Sequence, residues 1–90
     1  MKSNAIRVNA KDNVAVAVHA IRKGSPVVVD GQHLLDSVED IPLGHKIALS
    51  PFSKGENVIR YSEPIVETTQ DIPAGGWVHV HNTQPILSDA

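Results

Sequence analysis

One seven-residue phrase, apolar-x-x-Gly-x-x-apolar, occurs four times in this chain and constrains most of what it can become. It runs from Ile21 through Gly24 to Val27, from Ile41 through Gly44 to Ile47, from Phe52 through Gly55 to Val58, and from Ile72 through Gly75 to Val78. The glycines are spaced 20, 11 and 20 residues apart, so the second pair repeats the first at an offset of 31 residues. Such a phrase suits a tight turn that buries its first apolar residue, places Gly where φ is positive, and launches a strand from its last apolar residue. One copy could arise by chance; four in register predict a duplicated framework of short strands.

The segments between the phrases agree. Ile6 to Val8, Val14 to Val18, Val27 to Val29, Lys46 to Ser50, Asn57 to Tyr61, Pro64 to Glu67 and Trp77 to Val80 are short, rich in Val and Ile, and bounded by turn residues. Six glycines and six prolines, evenly spread, leave no window for a helix of more than about two turns. The best helical candidate is a single turn in Leu34 to Asp40, where Leu34, Leu35 and Val38 share a face and Pro42 stops the run. Val14, Val16 and Val18 alternate with Ala15 and Ala17, so that strand is apolar on both faces and is predicted to be central. Asp12 and Asn13 read as its lead-in turn. After His81 no β-type run is apparent, and residues 83–90 read as the start of a linker, which leaves 1–82 as the domain.

At ninety residues this is one small domain. A chain of this size buries about 60 to 65% of its unfolded surface, leaving little room for a deep substrate cavity. Any active site is therefore expected to be shared with a partner. Eight Lys and Arg against ten Asp and Glu provide no basic field for a phosphate backbone, which argues against nucleic-acid binding. The absence of cysteine excludes disulfides, thiolate metal sites and a thiol nucleophile. No signal-peptide run and no stretch of about 18 apolar residues is present, so the expectation is a soluble cytoplasmic protein without a membrane partner.

Chemistry is concentrated in the histidines. On a strand, His79 and His81 would share a face about 7 Å apart, a spacing that lets both approach one metal ion or one anionic substrate. A metal would require a further His, Asp or Glu from elsewhere. The competing reading is a polar edge strand. Gly44-His45-Lys46 sets an imidazole and an ammonium beside a glycine, a pairing suited to proton transfer next to a carboxylate, or simply a solvated turn. His19 and His33 read as structural or surface residues. No Ser/His/Asp arrangement or phosphate loop can be assembled.

Taken together, Asp12-Asn13-Val14-Ala15-Val16-Ala17, Gly44-His45-Lys46-Ile47-Ala48-Leu49, Val58-Ile59-Arg60-Tyr61, Pro64-Ile65 and Trp77-Val78-His79-Val80-His81-Asn82-Thr83 resemble the amino-terminal domain of altronate dehydratases. These form one family with galactarate dehydratase and sulfolactate sulfo-lyase. The resemblance extends from about Ile6 to Asp89 and implies an all-β fold, the small β-clip known as the SAF domain.

It further implies a hydro-lyase reaction. A proton is removed next to a sugar-acid carboxylate, the 3-hydroxyl leaves, and the enol becomes a 2-keto-3-deoxy acid; for D-altronate the product is 2-dehydro-3-deoxy-D-gluconate. The resemblance implies a divalent metal, Fe2+ or Mn2+, and a much larger catalytic domain or subunit as partner; a homo-oligomer is compatible with it. By motif, His45 and Lys46 are the catalytic candidates, His79 and His81 the metal candidates, and Asp12, Asn13 and Asn82 the substrate-binding candidates. Ser62 and Val66 stand where the family usually has glycine, which leaves substrate identity open. The His-x-His-Asn signature favours the altronate branch over the galactarate branch. The sulfo-lyase, with its separate small subunit, remains an alternative, as do a stand-alone carbohydrate or carboxylate binding module and a structural assembly domain.

Overall fold

The computed structural model describes residues 1–86. Nine short strands follow one another: β1 (Ala5–Ile6), β2 (Val14–Ala17), β3 (Pro26–Val29), β4 (Gln32–Asp36), β5 (Lys46–Ala48), β6 (Asn57–Arg60), β7 (Glu63–Thr68), β8 (Trp77–Val78) and β9 (Thr83–Gln84). No helix occurs among the described residues, as the all-β expectation required. The strands form a four-stranded antiparallel sheet ordered β1-β2-β5-β8, a β3-β4 hairpin, and a three-stranded β6-β7-β9 sheet. β2 lies between β1 and β5, and its two faces enter different cores, Ala15 and Ala17 on one side and Val14 on the other.

The glycine phrases build the framework as predicted. Their four glycines all have φ between 84° and 89°. The leading residues meet in pairs, Ile21 bridging Ile41 and Phe52 bridging Ile72, and all four are buried. The closing residues Val27, Ile47, Val58 and Val78 are each 0% exposed.

The 31-residue repeat extends to individual hydrogen bonds. Lys23 N–H donates to Asp40 Oδ1, and Lys54 N–H to Asp71 Oδ1, both at 2.8 Å. Ser37 Oγ donates to the Arg22 carbonyl, and Thr68 Oγ1 to that of Ser53. Each hairpin carries a register shift at the same place, Val27/Val28 and Val58/Ile59. Each also turns through two positive-φ residues, Asp30-Gly31 (52°, 74°) and Tyr61-Ser62 (56°, 59°), as two-residue hairpins of matching twist demand.

Two separate cores result. Ala5, Ala15, Ala17, Ile21, Val27, Val29, Ile41 and Ile47 form the first; Val14, Ala48, Phe52, Val58, Ile72 and Val78 form the second. Pairing and alternation explain the division. Ala15 opposes Ile47, which opposes Trp77, giving one face of the sheet; Val16 opposes Lys46, which opposes Val78, giving the other. The sheet is thus a wall with one hairpin packed on each side.

Three expectations need correction. Leu34 to Asp40 contains no helical turn: Gln32–Asp36 is strand β4, because Asp30-Gly31 forms a hairpin turn and pairing with β3 imposes a period of two. Leu34 and Val38 are exposed while Leu35 packs on the first core, so the three do not share a face. The strand expected over Trp77 to Val80 stops at Val78. The β-pattern also resumes after His81, as Thr83–Gln84 pair with Thr68 and Glu67. Residues 87–90 of the expected linker lie outside the described residues.

Candidate functional site

The end of the central sheet gathers the imidazoles. His45 precedes β5 and Trp77 opens β8, and the Ile47 to Trp77 register brings their segments together. The Trp77 indole N–H donates to His45 Nδ1 at 3.0 Å. Indole is only a donor, so in the neutral imidazole this bond places the His45 proton on Nε2. His79 lies 4.2 Å from His45 between ring centroids and stacks on Trp77 at 5.6 Å with an interplanar angle of 12°. His81 approaches the indole at 4.8 Å, tilted by 48°.

Asn82 shapes the segment that carries His79 and His81. It is buried; its Oδ1 accepts the His79 N–H at 2.9 Å, and its Nδ2 donates to the Trp77 carbonyl at 2.7 Å. Its own N–H donates to the His79 carbonyl, which also accepts from Thr83 Oγ1. The two histidines are therefore positioned by a side-chain-capped turn and not by strand alternation. Their centroids are 6.5 Å apart.

Lys46, next in sequence to His45, projects by alternation on the Val16 and Val78 side of the sheet. It is half-buried, and desolvation together with the charge of Arg60 holds its ammonium below its ordinary pKa. His79 is likewise held below the ordinary histidine value, first by desolvation and then by the charges of His45, Lys46 and His81. It is favoured as a neutral imidazole near neutral pH.

Asp12 and Asn13 lie in a different place, at the entry to β2, where they hold the β6-β7 hairpin. Asn13 Oδ1 accepts the Ile59 N–H at 2.8 Å, and its Nδ2 donates to the Asn57 carbonyl. Asp12 accepts the N–H groups of Ser62 (2.8 Å) and Asn9 (3.2 Å). Burial raises the Asp12 pKa, but these bonds, another from Tyr61 and the charge of Arg60 prevail and hold it below the usual carboxylate range. The polar groups of Asp12, Asn13 and Asn82 are thus engaged within the fold.

Among the described residues, no three His, Asp or Glu side chains are arranged to hold a metal. His79 and His81 offer two imidazoles, and the His45 nitrogen facing Trp77 is occupied. The donors among the described residues do not complete a metal site. Two residues that sequence reasoning left outside the site belong to its surroundings: Trp77, which orders the imidazoles, and Arg60, whose charge reaches Lys46. The signal for Trp77 was available, since one tryptophan stands directly before the His-x-His motif.

Comparison with known proteins places this geometry in context. The chain is 46% identical over 84 residues to altronate dehydratase of Escherichia coli strain K12, and 38% identical over 84 residues to altronate dehydratase of Bacillus subtilis strain 168. Each alignment covers 93% of this chain but 17% of the relative, so the chain spans about one sixth of those proteins. It is also 46% identical over 48 residues to the (2R)-sulfolactate sulfo-lyase subunit alpha of Paracoccus pantotrophus, covering 53% of this chain and 72% of that subunit. The family described as the altronate/galactarate dehydratase SAF domain matches residues 3–85, and with its strands, glycine turns and His-bearing motifs this chain belongs to that family.

Proposed function

We propose that this chain is the amino-terminal domain, or a free small subunit, of a sugar-acid dehydratase of the altronate type, acting with a large catalytic partner in the cytoplasm and inactive alone. The carrying observation is the imidazole cluster ordered on Trp77, assembled from the two motifs that match the family. The similarity to two altronate dehydratases, each much longer than this chain, supports the need for a partner.

The chemistry follows from the nitrogens. His45 presents Nε2–H, a donor suited to the charge that builds on a carboxylate when the adjacent carbon loses its proton, or to the departing hydroxyl. His79, favoured as neutral imidazole, offers one nitrogen lone pair suited to a metal ion. Proton removal beside the carboxylate and loss of the 3-hydroxyl release one water, and the enol tautomerises to the 2-keto-3-deoxy acid. Asn82 acts as a positioning residue through the His79 turn. A divalent metal, Fe2+ or Mn2+, enters this proposal only as a group whose further ligands come from the large partner, with His79 and His81 as this chain's contribution; it would supply Lewis-acid polarisation of the substrate.

The test is the assembled enzyme with D-altronate. His45→Ala and His79→Ala are each expected to lower kcat/KM by about 10²- to 10⁴-fold. A variant that retained full activity would remove that residue from the proposal. Tight sugar-acid binding by the lone domain, with no gain of lyase activity on adding the partner, would support a binding module instead. The similarity to a short sulfo-lyase subunit favours a second reading, in which sulfolactate is the substrate. Assaying both substrates separates the two.

A further inference from the structure

The duplication supplies an internal control, and at one pair of positions related by its 31-residue offset buried apolar residues give way to charged ones. Val29, in the first hairpin, and Ala15, on β2, are buried together in the first core. Adding the 31-residue offset gives Arg60 and Lys46. The same correspondence relates the surrounding bonds: Gly44 N–H donates to the Ala17 carbonyl as Gly75 N–H does to that of Ala48, and the Val28 and Ile59 N–H groups each bond an asparagine Oδ1. Two core-facing apolar positions have therefore become a guanidinium and an ammonium.

Packing does not explain the exchange, and neither does charge pairing. Among the described residues, neither Lys46 nor Arg60 has a carboxylate within ion-pair distance. Glu63, opposite Arg60 in the hairpin register, is exposed and forms no such pair. Asp12, whose charge is felt at Arg60, directs its oxygens to the backbone of Ser62 and Asn9. The Arg60 guanidinium is held over the Tyr61 ring at 4.7 Å, with one Nη donating to the phenol oxygen at 3.0 Å. Its Nε is buried and has no partner among the described residues. A buried donor left unpaired is costly, as is a desolvated Lys46 ammonium within reach of the Arg60 charge; an anion would relieve both.

We propose that Arg60 and Lys46 form a carboxylate-binding site, in which the buried Nε–H and the Lys46 ammonium take the two oxygens of a small organic acid. Planar carboxylate against a guanidinium edge is a favoured geometry for this pairing. The proposal deepens the dehydratase reading: it rests on that reading for the identity of the acid, a sugar acid, and assigns this pair to anchoring the substrate.

The first half dictates the test. Arg60→Val and Lys46→Ala install the residues that already pack at Val29 and Ala15, so folding is expected to survive. D-Altronate at constant ionic strength should raise the Tm of the unaltered protein, and the uncharged alditol should not. Arg60→Val should abolish that shift and, in the assembled enzyme, raise KM by about tenfold or more with kcat changed far less. A retained Tm shift, or an unchanged KM, overturns the proposal even if lyase activity is present. A carboxylate-dependent Tm shift lost in Arg60→Val but without any lyase activity upholds the site and rejects the dehydratase reading. Should Arg60→Val weaken assembly with the large partner while free altronate leaves Tm unmoved, the pair grips a side-chain carboxylate of that partner and the proposal also falls.

Discussion

The two halves of this domain, Ile21 to Ile47 and Phe52 to Val78, share a backbone plan and differ in what they expose to chemistry. Asn4 and Asn13 illustrate the shared plan. Asn4 bonds the Pro26 carbonyl and Val28 N–H; Asn13 bonds the Asn57 carbonyl and Ile59 N–H. These are equivalent atoms at an offset of 31, reached by two asparagines outside the repeated spans. Against that common frame, the second half carries Arg60 where the first has Val29. The difference teaches that backbone bonds define the fold twice, while a few side chains assign one copy to binding. It also gives a criterion: a polar residue with a structural counterpart in the other half is a fold device, and one facing an apolar counterpart is a candidate for function.

The largest expected effect breaks the equivalence of the glycines. A Cβ on Gly24, Gly44 or Gly55 meets nothing within 4 Å, whereas one on Gly75 runs into the Asp36 carbonyl oxygen. Substitution by Ala at the first three should cost about 1 to 2 kcal/mol, from positive φ alone. Gly75→Ala should cost at least about 3 kcal/mol, because strain and a backbone clash add. Urea unfolding of the four variants measures this, and equal costs would contradict the close approach of the halves at Gly75.

Next in size, Asn4→Ala and Asn13→Ala should each lose about 1 to 3 kcal/mol of stability, since each leaves backbone groups of a hairpin without partners. Matching losses would establish Asn13 as a clamp; an Asn13 loss well below that of Asn4, with impaired activity in the assembled enzyme, would return it to the substrate.

A smaller effect concerns pH. His79 binds its proton less readily in the folded state, so the unfolded state holds more protons between its lowered pKa and 6.5. Stability should therefore rise with pH through that window and level off above it, and His79→Gln should flatten the slope. Histidine NMR titration should place His79 below 6.5, the ordinary value. The smallest expected change is a gain: Ser62 holds φ at 59° where the first hairpin has Gly31, so Ser62→Gly should stabilise by about 0.5 to 1 kcal/mol.

Much of the frame was legible because it rests on local rules. The spacing of Gly24, Gly44, Gly55 and Gly75 announced both the positive-φ turns and the buried flanking residues, since a tight turn and a launched strand leave a pattern within seven residues. Leu34 to Asp40 misled because its apolar spacing also fits a helical face, and the decisive pairing with β3 comes from a turn before it. The convergence of His45 with His79 had no local signature; it depends on a register joining residues 32 apart, Lys46 with Val78. Arg60 was invisible as a site residue for a similar reason. Its meaning emerges only when the bonds show which first-half residue it replaces.

The one tryptophan of the chain sits against three imidazoles at the junction of the last pairing in the central sheet. Each hairpin joins neighbours in sequence and can form early, whereas closure of β5 on β8 must bridge about thirty residues and is expected to come late in folding. Fluorescence from Trp77, quenched by the rings around it, would therefore report on that closure and on the site at once. In this domain the histidine cluster can exist only in molecules whose β8 has closed on β5.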